Sequence, residues 1–302
     1  FQVFDTENPA CSVESVPVSV NDRTRFIYEA ACCGLRDFFV KNGYKKACVG
    51  VSGGIDSAVV ACLAVAALGA ENVRGLMMPS QFSSEGSVED AKQLAENLGI
   101  EFHVVPITEA YRSIVDTLIP VIGGTDFDAT EENIQSRIRT LMLMALQNKN
   151  GYVLLNCSNK SENALGICTL YGDTGGAFSV TGDLYKTEMY DLARYINRKF
   201  GAPIPENILT KEPSSELRPN QKDSDMLPSY EVVDAILYRL IEDGQSREEI
   251  INAGFDSDEV QKIYAMVMRN EKKRLQYPPV LLLSSSSFGH EYRMPLTHKY
   301  VK

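Results

Sequence analysis

Residues 47–57, Ala-Cys-Val-Gly-Val-Ser-Gly-Gly-Ile-Asp-Ser, constrain this chain more than any other stretch. An apolar run of strand length breaks at Ser52-Gly53-Gly54 and resumes at Ile55 with helical spacing. Strand, glycine turn and helix in that order aim backbone N–H groups and the positive end of a helix at a phosphate. No Gly-Lys-Ser/Thr follows the glycines, so this is not a Walker-type loop. Phosphate-facing chemistry then rests on the Ser52 and Ser57 hydroxyls, on backbone amides and on one carboxylate, Asp56. An acid in a phosphate turn repels the ligand unless a divalent cation stands between them, which makes Asp56 a candidate metal ligand. The plainer alternative is a strand–helix turn capped by Ser52 and Asp56.

The flanking sequence gives that turn its setting. Asn21 or Asp22 is placed to cap a helix through Val40, and the helix after the glycines runs to about Leu68. Strands are expected at 73–78, 101–106 and 152–156, with helices at 88–98, 107–119 and 130–149 between them. This alternation predicts an α/β fold: a doubly wound parallel sheet with helices on both faces, followed by C-terminal helices. Ligands of such sheets bind at the carboxyl ends of the strands. The phosphate loop, Met77-Met78-Pro79-Ser80 and the segment after Val105 all fall at that edge. Residues 1–20 read as a linker or tail, residues 21–280 as the folded domain, and residues 281–302 as a polar C-terminal tail.

After the fourth strand, Cys157-Ser158-Asn159-Lys160-Ser161-Glu162 repeats the pattern of a strand end turning into a helix. Asp56 and Glu162, acids on two strand ends, make a plausible Mg²⁺ site beside the phosphate loop. The alternative is that Glu162 only caps its helix with Ser158 or Asn159. Leu170 to Gly176 reads as a flexible glycine-rich loop that either closes over a ligand or is only a loop. Lys186 lies near the start of an amphipathic helix ending at Phe200, where it opposes the dipole; that mild cost points to an anionic partner such as a phosphate. The alternative is an exposed lysine. Asn133 and Arg137 lie four residues apart on one face of the long helix, either at a site or on a solvated surface. From Ala202 five prolines punctuate a long polar loop, and helices follow at 230–243, from Ser246 and from Asp256.

Composition narrows the function. Net charge is −10, from 30 basic and 40 acidic residues, which excludes a nucleic-acid-wrapping surface despite a superficial helix-turn-helix near the C-terminus. Seven cysteines without Cys-x-x-Cys spacing read as free thiols of a reducing cytoplasm. No apolar run reaches membrane-spanning length and nothing at the N-terminus resembles a signal peptide.

Ser-Gly-Gly-Ile-Asp-Ser at 52–57 resembles the pyrophosphate-binding loop of the N-type ATP pyrophosphatases, which split ATP between the α and β phosphates and adenylate a substrate. Further motifs follow in order: Asn-Ile-Gln-Ser-Arg-Ile-Arg at 133–139, Asn-Lys-Ser-Glu at 159–162, Tyr-Gly-Asp at 171–173, Lys186-Thr187, Glu-Pro-Ser-Ser-Glu-Leu-Arg-Pro at 212–219 and Lys-Lys-Arg at 272–274. With them, the chain from about residue 22 to residue 280 resembles the synthetase domain of NAD⁺ synthetase, particularly that of the glutamine-dependent enzymes. The resemblance implies Mg·ATP-dependent adenylation of deamido-NAD at its nicotinate carboxylate, then attack by ammonia to give NAD⁺, AMP and pyrophosphate.

It also implies roles, residue by residue. Ser52, Gly53, Gly54, Ile55, Asp56 and Ser57 would hold the ATP phosphates. Met78 would lie near the adenine, and Cys157, Lys186 and Ser214 would touch ATP. Asp56 and Glu162 would hold Mg²⁺, with Asp56 and Lys186 as the catalytic pair. Asn133, Arg137, Asp173 and Lys273 would hold deamido-NAD in a site shared by two subunits of a homodimer. Leu170, Ala177 and Cys157 depart from the ammonia-using minimal synthetases, which often carry Lys, Asp and Thr there. A glutaminase domain upstream would supply the ammonia. Two other readings are a different amidating or thiolating ATP pyrophosphatase, such as a GMP synthetase or a tRNA-modifying enzyme, and a nucleotide sensor without turnover.

Overall fold

Strand β1 (Lys46–Gly50) sits at the centre of a five-stranded sheet and is buried from Ala47 to Val49. The structure is a computed structural model that describes residues 23–298, Thr125 and Asn220 excepted. The expected N-terminal linker, the Asn21 or Asp22 cap and residues 299–302 lie outside the described residues. The other strands are β2 (Val73–Met77), β3 (Glu101–Val104), β4 (Tyr152–Asn156) and the short β5 (Phe178–Ser179), which periodicity did not predict. Their order is β3-β2-β1-β4-β5 and every pairing is parallel. The order reverses between β1 and β4, and a crevice opens at such a switch point beyond the strand ends.

Helices cover both faces. Ala47, Val49 and Val51 point to one side, against α1 (Arg23–Asn42), α2 (Ile55–Leu68), α3 (Glu85–Leu98) and α7 (Lys186–Lys199). Cys48, Leu76 and Leu154 point to the other, against α4 (Thr108–Ile122) and α5 (Ala129–Asn150). Every residue of α2 from Ser57 to Ala64 is buried, which suits a helix apolar on all sides. A second core joins α6 (Lys160–Leu165) to α9 (Tyr230–Ile241), α10 (Arg247–Asn252) and α11 (Ser257–Arg269) through Leu165, Leu237, Ile263 and their neighbours. The short helices α8 (Glu206–Thr210) and α12 (Glu271–Arg274) complete the set among the described residues.

Several boundaries differ from periodicity. Helix α3 starts at Glu85, two to three residues early, because the Ser84 hydroxyl accepts the Ser87 N–H and caps it. The expected helix from Asp256 to about Gln276 breaks at Asn270, whose side chain donates to the carbonyls of Leu165 and Met266. The segment read as a polar tail packs onto the body. The Ser179 N–H donates to Pro279 O and the Leu281 N–H returns to Ser179 O, which lays the chain along β5. Leu281 and Leu283 join the main core and Ser287 is buried.

Candidate active site

The glycine turn after β1 is held by its own hydroxyls. Ser57 Oγ accepts the Ser52 N–H at 3.1 Å and donates to Gly54 O at 3.1 Å, and Ser52 Oγ accepts the Gly54 N–H at 3.2 Å. Gly53 has φ +79°, and a Cβ there would meet Ser87 O at 2.2 Å, so α3 closes on this turn as only glycine permits. Helix α2 begins at Gly54 without a side-chain cap. Asp56 is therefore not used as a cap; its side chain reaches across the switch point to β4's side of the crevice.

There it meets the second motif. Asn159 caps α6 by accepting the Glu162 N–H at 3.0 Å, and its amide donates to Asp56 Oδ1 at 3.0 Å. The cap of this helix is Asn159, which leaves the Glu162 carboxylate free to face the crevice. Between the two acids stands Lys186, the first residue of α7, with its ammonium 2.6 Å from Asp56 Oδ2 and 3.3 Å from Glu162 Oε1. Lys186 is 4% exposed, whereas Asp56 and Glu162 keep 18% and 22% of their surface, so the acids still open to the crevice.

The electrostatics follow. Burial works against the Lys186 ammonium, but Asp56 and Glu162 overcome it and hold its pKa well above the usual lysine range. Desolvation on the crevice floor pushes the Glu162 carboxyl up to about 8 against the pull of Lys186, and Asp56 adds to the rise. The two acids thus share one ammonium. A nearby positive charge favours the ionised form of the raised Glu162 carboxyl, and with Asp56 it then makes the oxygen-donor set that suits a hard divalent cation. Among the described residues no cluster of three or more His, Cys, Asp or Glu side chains is arranged around a metal position. A cation here would complete its shell with phosphate oxygens and water.

The crevice is a cleft of ≈330 Å³. Of the sequence-predicted residues it gathers Ser52, Gly54, Ile55, Asp56, Ser57 and Met78 from the β1 and β2 ends. Cys157, Glu162, Asp173, Lys186 and Ser214 line it as well. Gly53 lies behind the turn against Ser87. Cys157 is a thiol that burial holds well above the usual cysteine range, with Asp56 adding to the shift. Ser214 is exposed and donates to Gln221 O at 2.6 Å.

Asn133, Arg137 and Lys273 stand apart from the cleft wall and clasp the segment that leads to Asp173. The Lys273 ammonium donates to Gly166 O and Cys168 O at 2.7 and 2.8 Å, and Arg137 Nε donates to Leu170 O at 3.2 Å. Asn133 Oδ1 accepts from Thr169 Oγ1 at 2.6 Å. This corrects the expectation of a flexible loop at 170–176. Its glycines serve close approach: a Cβ on Gly172 would meet Ser136 Oγ at 2.4 Å, and the Asn156 amide ties the carbonyls of Asp173 and Gly175.

Sequence reasoning missed three cleft residues. Arg139 Nε donates to Met78 O at 2.9 Å, and burial lowers its pKa to about 10 against the pull of Glu216. Lys211 bridges Ser87 and Asp90 at 3.1 and 2.9 Å. Glu216 accepts from the Ser84 N–H and from the Ser84 and Ser87 hydroxyls, which pins the 211–221 segment across the start of α3. Arg139 had a signal, lying three and four residues from the buried Ser136 and Gln135; the other two depend on contacts distant in sequence.

Comparison with known proteins decides the lineage. The family model described as NAD synthase matches residues 27–277. The chain belongs to the NAD synthase family. It is 52% identical over 276 residues to a glutamine-dependent NAD(+) synthetase of Aquifex aeolicus, covering 91% of this chain and 48% of that protein. Among solved structures of the NAD synthase family, glutamine-dependent NAD+ synthetase from Acinetobacter baumannii in complex with ADP aligns with a TM-score of 0.63 at 40% identity, over 94% of this chain and 51% of that one. An NH3-dependent NAD synthetase from Campylobacter jejuni aligns with a TM-score of 0.66 at 30% identity, over 83% of this chain and 95% of that one. The chain spans about half the length of the curated relatives it matches.

Proposed function

We propose that this chain converts deamido-NAD to NAD⁺ at the expense of ATP. The observation that carries the reading is Lys186 set between Asp56 and Glu162 at the mouth of a glycine–hydroxyl phosphate turn. The nicotinate carboxylate attacks the α-phosphorus of ATP, the bond to the β-phosphate oxygen breaks, and pyrophosphate leaves with that electron pair. Ammonia then adds to the acyl carbon, loses a proton and expels AMP. A carboxylate is a poor acyl donor, and an AMP leaving group removes that obstacle.

The chain's own groups supply positioning and charge. The Ser52–Ser57 turn and the start of α2 hold the phosphates, and the Lys186 ammonium follows the charge that gathers on the departing pyrophosphate. Magnesium, held by Asp56 and Glu162 together with phosphate oxygens, would neutralise that charge. Met78, Cys157 and Ser214 border the nucleotide. Asn133, Arg137, Asp173 and Lys273 face the dinucleotide in a site completed by a second subunit. The nitrogen comes from glutamine hydrolysed on an upstream domain, a reading supported by relatives named glutamine-dependent NAD(+) synthetases, of whose length this chain spans about half. The reaction belongs to the cytoplasm, a reducing compartment that suits the free thiols of Cys32, Cys33, Cys48, Cys62, Cys157 and Cys168.

The test is incubation with Mg·ATP, deamido-NAD and ammonium, with NAD⁺ and pyrophosphate both measured. Equal amounts of the two are expected, with pyrophosphate at background when deamido-NAD is omitted. Asp56→Asn should abolish both. Pyrophosphate release without deamido-NAD, or driven instead by a purine nucleotide acceptor, overturns the reading.

A further inference from the structure

A second charged cluster lies behind the cleft, and neither the phosphate turn nor the acid pair uses it. Lys160 is fully buried, with its ammonium against Asp183 Oδ1 at 3.0 Å and against Glu242. It also donates to Ser284 Oγ at 2.7 Å and Ser286 O at 2.9 Å. Asp183, equally buried, accepts the N–H groups of Leu283 and Ser284, both at 2.7 Å. The hydroxyls of Ser284 and Ser287 complete its shell at 2.8 and 2.6 Å, and Ser285 donates to Glu242. Leu283 and the four serines after it, residues 284–287, thus form a strap wound around a Lys160–Asp183–Glu242 centre.

The position of this centre in the chain gives it a consequence. Lys160 follows Asn159, which holds Asp56, and precedes Glu162 by two residues. Asp183 precedes Lys186 by three, and the Lys160 N–H donates to Leu184 O at 2.7 Å. The two segments that deliver Glu162 and Lys186 are therefore fastened to each other and to the strap at one buried point. Buried charges with full hydrogen-bond shells have few alternative arrangements, so such a point fixes register more firmly than apolar packing alone.

We infer that Lys160 and the Leu283–Ser287 strap are positioning elements that set the distance between Glu162 and Lys186. The strap makes the C-terminal segment a working part of the adenylation site. In its bearing on turnover this inference rests on the proposed amidation; in its bearing on geometry it does not.

The test uses the 302-residue chain with Ser284→Ala and Ser287→Ala together. Asp183 keeps Lys160 and two backbone donors, so the variant retains what it needs to fold. Expected is a fall in kcat for pyrophosphate release on the order of tenfold to a hundredfold with KM for Mg·ATP little changed, because sub-ångström misplacement weakens chemistry more than binding. A crystal structure of the variant should show the Glu162–Lys186 contact, 3.3 Å in the parent, opened beyond ion-pair range. Ser246→Ala, which removes the cap of α10, a helix that lines no part of the cleft, is the control: a comparable loss of melting temperature with kcat kept. An unchanged Glu162–Lys186 contact, or an equal loss of kcat in the control, overturns the inference. If the parent chain shows no deamido-NAD-dependent turnover, the functional reading fails, and the contact distance in the variant still decides the inference either way.

Discussion

Replacing Lys186 by Met keeps the length of the side chain and removes the one charge that Asp56 and Glu162 share. Breaking a fully buried ion pair costs about 3–5 kcal/mol. Here the two acids retain 18% and 22% exposure, and one of them can take up a proton, so about 2–3 kcal/mol is expected. An unfolding entropy of about 2.1 cal/mol/K per residue gives roughly 0.63 kcal/mol/K for 302 residues, so the melting temperature should fall by about 3–5 °C. The variant also offers a metal a site without a competing ammonium. Magnesium at ten times its dissociation constant contributes about 1.4 kcal/mol, or about 2 °C, and the parent should respond less because Lys186 occupies the same space. Differential scanning calorimetry with and without magnesium reads both effects without any assay of activity. A variant that melts within about 1 °C of the parent, or one that magnesium raises no more than the parent, refutes the reasoning.

Two further outcomes follow from the same geometry. Gly53→Ala forces a Cβ to 2.2 Å from Ser87 O at φ +79°, so backbone must retreat by about 1 Å; pyrophosphate release should fall on the order of a hundredfold, and wild-type turnover would show that α3 yields freely. Asp234 is buried, accepts from Ser161 Oγ at 2.5 Å and the Thr187 N–H at 2.8 Å, and burial raises its carboxyl to about 6. Its folded pKa lies above the unfolded value of about 3.9, so its contribution favours folding below about pH 4 and is lost as pH rises through about 6. Asp234→Asn should therefore gain stability relative to the parent between pH 4.5 and pH 7, about the limits of that window, in urea titrations at each pH; a constant difference counts against the assignment.

The sequence by itself determined whatever depends on neighbours along the chain. Alternating strands and helices announced a parallel sheet, and the run at 47–57 announced its phosphate turn, because hydrophobic period and glycine spacing are local properties. Asp56, Glu162 and Lys186 were each legible as residues at strand or helix ends, through their motifs. Tertiary structure alone decided that one ammonium would sit between the two acids, since Lys186 and Asp56 are 130 residues apart and no periodicity links them. It also decided the strand order, the anchoring of the 170–176 loop and the docking of a serine run that reads as polar tail. Ser287 is inside and Ser284 half-buried because Asp183 and Lys160 need hydrogen-bond partners there, a requirement that exists only once the chain has folded around them.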